Sequence, residues 1–285
     1  MIVDFRGRPP TEPFLKYFDR DFVAALAPRF GARALSPAFL EGSLDRFIAE
    51  MDEAGVAVAV AIGRNSPAVR TAAMTLPEGL IDNQHLVDLQ ERFPGRIVGF
   101  AGIDVSNRIH DAVREVEIFV GKRGLKGVFI EPQRAFAAHP DALRCDPVYD
   151  LCQALDVPVS IMTGPLAGSD IGFADPAPID RVASRFPKLK IVCGHGCWPR
   201  VSEMIAVAFK HPNVFVSPDV YQFAPGSQLY IDAANGFMAD QYLFGTAYPV
   251  LALKETVERF KALPFHPTAR EKALYGNARR LLKLA

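Results

Sequence analysis

Eight short runs of consecutive apolar residues, rich in β-branched side chains, punctuate the chain: Ile2–Phe5, Val56–Ile62, Ile97–Ile103, Gly127–Glu131, Val157–Met162, Lys190–His195, Val214–Ser217 and Tyr242–Thr246. Strands that are apolar on both faces need cover on both faces, which is the condition of a parallel sheet wrapped in helices. The segments between the runs carry the helical period instead. Ser43 is placed to cap a helix whose Leu44, Phe47, Ile48 and Met51 share one side and which ends at Gly55. Asp146-Pro147 opens another, with Val148, Leu151, Cys152 and Leu155 as its apolar stripe. Val201, Ile205 and Ala208 start a further helix face, and a last helix is expected over roughly 268–282. Strand and helix alternating eight times predict an α/β fold, a closed (β/α)8 TIM barrel rather than an open doubly wound sheet.

The length of 285 residues suits one such barrel, which takes about 250, so a single domain over 1–285 is expected. One segment breaks the pattern. Residues 7–42 contain five prolines among Phe14, Tyr17, Phe18, Phe22, Phe30 and Phe39. Because it follows the first strand, this segment is expected over the C-terminal mouth as a lid, or else as a packing or oligomer-contact loop, with a short helix near Asp19–Leu26. Charge narrows the partners. The 32 basic and 32 acidic residues leave no net charge, which excludes the global basic field of a nucleic-acid binder. No apolar run approaches the roughly 20 residues that span a bilayer. The start lacks a basic stretch followed by an apolar one, so a cytoplasmic protein is expected. The four cysteines, Cys145, Cys152, Cys193 and Cys197, form no disulfide framework and read as reduced thiols.

Reacting groups of such barrels sit at the C-terminal ends of the strands. The ends here offer Arg6 and Arg8, Arg64 and Asn65, Asp104, Glu131, Met162 and Thr163, His195, Ser217 and Asp219, and Ala247 and Tyr248. Asp4, Arg6 and Arg8 are two residues apart, so in a regular strand they face one way. Guanidinium forks grip carboxylate or phosphate through two parallel bonds and are poor ligands for a dication. Arg6, Arg8 and Arg64 together predict an anion pocket; the bland alternative pairs them with Asp4, Glu131 or Asp219. His195, which titrates near neutrality, and Glu131, which burial can raise toward it, are the candidates for moving protons. Thr163 and Tyr248 are secondary candidates for substrate contact.

Several motifs recur in a fixed order. The start reads Asp4-Phe5-Arg6-Gly7-Arg8; then come Gly127–Pro132 (GVFIEP), Asp146-Pro147-Val148-Tyr149, Pro158–Gly164 (PVSIMTG), Gly194-His195-Gly196, Pro212–Val216, Phe244–Pro249 (FGTAYP) and Gly276–Leu282 (GNARRLL). This series resembles the amidohydrolase-related family, whose members include hydrolases, decarboxylases and hydratases of small carboxylates and lactones. The resemblance implies a (β/α)8 barrel with two histidine ligands on the first strand, one on the fifth, one on the sixth and an aspartate base on the eighth. The matching positions here are Arg6, Arg8, Met162, His195 and Ala247. A catalytic zinc takes about three protein ligands plus water, and His195 alone does not meet that need. No metal and no other cofactor is therefore expected, and Ala247 supplies no base.

Three readings follow. The first is a metal-independent hydrolase, or carbon–carbon or carbon–oxygen lyase. Arg6 and Arg8 clamp a small carboxylate or lactone, Arg64, Thr163 and Tyr248 assist, and His195 and Glu131 move protons. The second is a non-catalytic barrel that binds an anionic metabolite or a partner protein. The third uses the alternating Cys193, His195 and Cys197 to bind a metal, or Cys197 as a nucleophile beside His195. A symmetric homodimer is expected from the general habit of such barrels.

Overall fold

The computed structural model describes residues 1–70, 75, 76 and 78–284. Seven parallel strands follow one another around a sheet in chain order: β1 (Ile2–Gly7), β2 (Val56–Ile62), β3 (Ile97–Ile103), β4 (Gly127–Ile130), β5 (Val159–Met162), β6 (Ile191–Gly194) and β7 (Val214–Ser217). The eighth run is not a regular strand, yet it closes the ring. On one side the Val216 N–H donates to the Gln241 carbonyl at 2.8 Å and the Leu243 N–H to the Val216 carbonyl at 2.9 Å. On the other the Phe5 N–H donates to the Phe244 carbonyl at 2.9 Å. The sheet thus meets itself through 241–244, and the fold is the expected TIM barrel.

Alternation along the strands sorts the apolar side chains into two layers. Val3, Phe5, Val58, Val60, Phe100 and Val192 belong to the barrel interior, which the helix Asn277–Leu282 plugs at its lower end with Ala278, Leu281 and Leu282. Ala59, Ala61, Val128, Ile161, Ile191 and Val216 form the second layer, between the strands and the helices. The expected helices are present. Ser43 accepts from the Arg46 N–H at the start of Leu44–Ala54, and Gly55 ends it in a left-handed conformation. Cys152 is wholly buried on Asp146–Ala154. On Val201–Lys210 the buried face is Val201, Met204, Val207 and Ala208, with Ile205 at its edge. No helix among the described residues is long and apolar enough to cross a membrane.

In residues 7–42 the helix expected near Asp19–Leu26 is present at Arg20–Leu26, and further helices at Glu12–Tyr17 and Pro37–Glu41 and a 3-10 turn at Ala27–Phe30 make the segment more regular than a loop. Local capping explains much of this order. The Asp19 carboxylate accepts from the Phe22 N–H at 2.8 Å, and Ser36 Oγ accepts from the Phe39 N–H at 3.2 Å. After β2 the chain makes a short antiparallel pairing of Arg64–Ser66 with Gly79–Ile81, which sets Arg64 over the mouth of the barrel.

Candidate active site

The five positions that match the family's metal ligands and base, Arg6, Arg8, Met162, His195 and Ala247, come together as walls of one cavity of about 60 Å³. Arg64 and Arg134 are also in its wall, as are Tyr17 and Phe18 from the segment after β1. Arg6 lies across the floor. Its Nη2 is 3.3 Å from Met162 Sδ, its Nε is 3.3 Å from Asp219 Oδ2, and its guanidinium carbon stands 5.5 Å from the centre of the Phe129 ring. The Asp219 contact is close but poorly aligned, so Nε has no true hydrogen-bond acceptor. Gly194 makes room for this arginine: a Cβ there would stand 2.5 Å from Nη1.

Arg8 is held differently. Its Nη1 donates to the Tyr248 carbonyl at 3.1 Å, and its guanidinium stacks 4.6 Å above the Phe18 ring. Among the described residues no carboxylate reaches it, whereas Arg6 has Asp219 and both Arg64 and Arg134 have Glu131. Burial first, then Arg6 and Arg64 beside it, push its pKa well down. A guanidinium nevertheless keeps its proton at neutral pH, so the same forces amount to a demand for an anion at Arg8.

Glu131, expected to move protons, is a bound counter-ion. It ends β4 and leads into the short helix Pro132–Phe136. Its carboxylate receives Arg64 through Nε at 2.5 Å and through Nη2, Ser66 Oγ at 2.9 Å and Arg134 Nη1 at 3.3 Å. Burial alone would raise its pKa, but Arg134 and Arg64 outweigh burial and hold it at about 2. It stays ionised through the neutral range and is not among the cavity walls. Arg134 also donates to the Tyr17 hydroxyl at 2.7 Å and to the Leu166 carbonyl at 2.8 Å, while Arg64 stacks 4.1 Å from the Tyr17 ring.

His195 reaches the cavity because it leaves the strand. With φ at +70° it ends β6, one residue earlier than the apolar run suggests. Its Nδ1 stands 3.2 Å from Asp219 Oδ2, again close but off the line of a hydrogen bond. With Nδ1 buried there, the ring turns its opposite edge, which carries Nε2, toward the cavity. Asp219 is fixed by Ser217 Oγ at 2.6 Å and more weakly by the His195 N–H at 3.3 Å. Burial, then Arg6, lowers the His195 pKa to about 4 despite Asp219. The imidazole is therefore neutral at pH 7 and able to accept a proton. His195, Asp219 and Ala247 all have φ between +55° and +70° at the ends of the sixth, seventh and eighth runs. Such conformations cost a non-glycine residue on the order of 1 kcal/mol each and cluster where function over-determines the backbone.

A pH titration follows from this. Unfolded histidine binds its proton near pH 6.5, but folded His195 does so only near 4. Between these values the unfolded chain holds more protons, so the His195 contribution to stability falls as pH drops through that window. Imidazole NMR signals of His195 are expected to stay neutral at pH 6 and to titrate near pH 4. A midpoint above 6 would show that Asp219 dominates.

The remaining candidates fall outside the cavity. Asp4 does not share the face of Arg6 and Arg8, because the register of β1 against β2 shifts between Asp4 and Gly7 and ends simple alternation. Its carboxylate instead accepts from the Thr246 hydroxyl at 2.6 Å and N–H at 2.8 Å and from the Arg6 N–H at 3.0 Å. Burial still raises its pKa. Thr163 donates to the Gly194 carbonyl at 2.8 Å and accepts from the Cys197 N–H at 3.1 Å, bracing the turn that carries His195. The Tyr248 hydroxyl pairs with Ser36 Oγ at 2.8 Å, and only its carbonyl faces Arg8. Cys193 and Cys197 are fully buried in the layer between barrel and helices, and their mutual contact, then burial, raises the Cys193 pKa. Neither thiol lines the cavity. Arg134 and Tyr221 are the functional neighbours that the sequence does not announce. Arg134 has a faint signal, one helical turn beyond Glu131; Tyr221, whose ring packs edge-on at 5.2 Å against His195, has none.

The residues present do not fit the metal of the family pattern. Among the described residues no group of three His, Cys, Asp or Glu is placed to hold an ion. The space between Met162, Gly194 and Asp219 is filled by the Arg6 guanidinium, a cation that repels a dication and offers it no lone pair.

Solved structures share this fold. An uncharacterised TIM-barrel protein from Bordetella bronchiseptica is 38% identical, with a TM-score of 0.87 over 99% of this chain and 98% of its own. A dihydroxybenzoic acid decarboxylase from a Polaromonas species, with bound manganese and the inhibitor 2-nitroresorcinol, is 20% identical, with a TM-score of 0.69 over 99% of this chain and 97% of its own. A 5-carboxyvanillate decarboxylase from Sphingomonas paucimobilis is 17% identical, with a TM-score of 0.66 over 100% of this chain and 99% of its own. No curated protein matches the chain. The family model described as amidohydrolase matches residues 31–284, so a chain whose usual ligand positions are filled by arginine, methionine and alanine is nonetheless a member of the amidohydrolase family.

Proposed function

We propose that this protein is a metal-independent hydrolase or lyase for a small carboxylate, with Arg8 as its anion anchor and His195 as its proton carrier. The observation that carries the reading is the charge of the cavity. Arg6, Arg8, Arg64 and Arg134 all line it, and the carboxylates of Asp219 and Glu131 lie behind them. Four guanidiniums outnumber the three buried carboxylates Asp4, Asp219 and Glu131, and among the described residues Arg8 is the guanidinium with no carboxylate in contact. The decarboxylases of similar fold, which act on dihydroxybenzoate and 5-carboxyvanillate, support a carboxylate as the ligand. The segment 7–42, which contributes Tyr17, Phe18, Phe22, Leu26 and Phe30 to the cavity wall, covers the substrate as a lid.

A lactone or enol ester carrying a carboxylate suits this equipment. The carboxylate pairs with Arg8. His195 Nε2 takes a proton from water as the water oxygen bonds to the acyl carbon, and Arg6 faces the negative charge that develops on the carbonyl oxygen. The acyl C–O bond then breaks, and the proton on His195 goes to the leaving oxygen, so that water and ester give acid and alcohol. Asp219 holds the imidazole and offsets the charge it gains, the part an orienting carboxylate plays in base–carboxylate pairs. Once the anion offsets Arg8 and Arg6, the His195 pKa rises toward neutrality, which makes it a better base in the complex than in the free protein.

The test is turnover of a panel of small carboxylated lactones and enol esters by protein dialysed against chelator. Turnover is expected to persist without metal. His195→Gln is expected to lower kcat by about a hundredfold or more while acetate binding stays within about threefold, as for a group that acts only in the chemical step. Tightly held stoichiometric metal, or activity lost on chelation and restored by a divalent ion, overturns the proposal. Acetate binding without turnover of any member favours the non-catalytic barrel, to which the locking of Glu131 already lends some weight.

A further inference from the structure

The cavity around Arg8 is small. At about 60 Å³ it has room for roughly four or five waters, which is a carboxylate and two or three carbons but not a substituted benzene ring. A second cavity of about 530 Å³ lies against it. The two share Leu26, Phe30, Leu166, Val220 and Tyr221, so these five side chains form the partition between them. The outer chamber has the size of an ordinary small-molecule site, about 300–1,000 Å³; the inner one does not.

The walls of the two chambers differ in chemistry. The inner holds four guanidiniums and His195. The outer is mainly apolar and aromatic, with Arg29 and Arg259 the charged side chains in its wall. Trp198 stacks on Tyr221 with ring centres 5.0 Å apart and planes 14° from parallel, and its indole N–H is tied to the Pro225 carbonyl at 3.0 Å. Phe30 meets Tyr221 edge-on at 5.3 Å, and Phe223 is backed by Arg259 at 4.0 Å. Rigid aromatic faces of this kind favour a flat apolar group that approaches by stacking.

We infer that the substrate is a carboxylic acid joined through a short flexible linker to an aromatic or bulky apolar group, with its acid end in the inner chamber and its apolar end in the outer one. This rests on the reading of Arg8 as the anion anchor. It separates this protein from benzoate-type ligands, whose carboxylate is attached directly to the ring. Leu26 and Phe30, both half-buried in the segment after β1, are the partition side chains that rotate to admit the linker.

The experiment uses acetate, 4-phenylbutyrate and 4-phenylbutanol in chloride-free buffer. Affinities are measured by calorimetry or ligand NMR, and Trp198, the only tryptophan of the chain, reports the outer chamber by its fluorescence. Phenylbutyrate is expected to bind at least tenfold more tightly than acetate and than phenylbutanol, and to change Trp198 emission where acetate does not. Ala224→Phe, at a residue that lines only the outer chamber, is expected to abolish the tenfold advantage and leave acetate affinity unchanged. Equal affinities for the two acids, or an advantage untouched by Ala224→Phe, overturns the two-chamber inference and leaves the anion anchor standing. Failure of both acids to bind overturns the two together.

Discussion

Glu131→Gln is expected to be among the most destabilising single substitutions in this protein, lowering stability by roughly 3–5 kcal/mol. The change is nearly isosteric, so no cavity opens. What it removes is the charge shared by Arg64 and Arg134, both buried beside Arg6 and Arg8. Two guanidiniums then face each other without an anion. In a chain of this length a loss of that size is a fall of roughly 5–8 °C in Tm. The pH dependence follows the same carboxylate. Its pKa is held at about 2 in the fold and returns near 4.5 on unfolding. Its stabilisation is therefore fully present above about pH 4.5 and is lost as pH falls toward 2. Thermal unfolding of the wild type and of Glu131→Gln, from pH 7 down to pH 3, is expected to show two curves that converge on acidification. A variant within about 1 kcal/mol of the wild type at pH 7 would mean that the buried arginines are served by another anion.

Arg8→Met is expected to do the opposite to stability while removing binding. Among the described residues Arg8 is buried with no carboxylate in contact, so replacing it by an apolar chain of similar length relieves repulsion from Arg6 and Arg64 that the more distant Asp219 and Asp4 offset only in part. Gains of roughly 1–4 kcal/mol accompany the exchange of buried charge for well-packed apolar side chains. Loss of a charge-assisted bond to a carboxylate is worth about 1.5–3 kcal/mol, so acetate affinity should fall about ten- to a hundredfold. A raised Tm with lost binding is the signature of a residue kept for function. A lowered Tm with intact binding would mark Arg8 as structural, and the anion anchor would have to be sought at Arg64 or Arg134.

The barrel was legible because its signal is local. Eight apolar runs and their capped helices are each defined within a dozen residues, and all eight runs take part in the ring. The ends of the runs were less secure, because His195 and Asp219 adopt left-handed conformations that no apolar pattern encodes. The convergence of Arg6, Arg8, Arg64 and His195 on one cavity was also readable, since each stands at or just beyond the end of one of the apolar runs. The roles were not. Whether Glu131 is free or locked depends on Arg64, 67 residues away, and on a turn of helix that starts at Pro132. Asp4 could be placed on the wrong side because a register shift two residues later is invisible in the sequence. The apolar partition between the two chambers owes its form to Leu26, Phe30 and Tyr221, which meet only through the closed topology.

The Arg6 guanidinium and the glycines around it are fitted to one another. Gly194 would place a Cβ 2.5 Å from Arg6 Nη1, and Gly245 would place one 2.3 Å from Asp219 Oδ1 and 3.3 Å from Arg6 Cβ. The slot is thus cut to the arginine and its carboxylate together. A cation tethered by covalent bonds does not exchange with the medium, so the charge at the heart of the barrel is indifferent to metal supply and to competing chelators. It is also hard to replace by a metal. Arg6→His alone leaves the slot void, and Arg8, Met162 and Ala247 still provide no ligands. The one step that opens the slot gives up the present cation before another can be held.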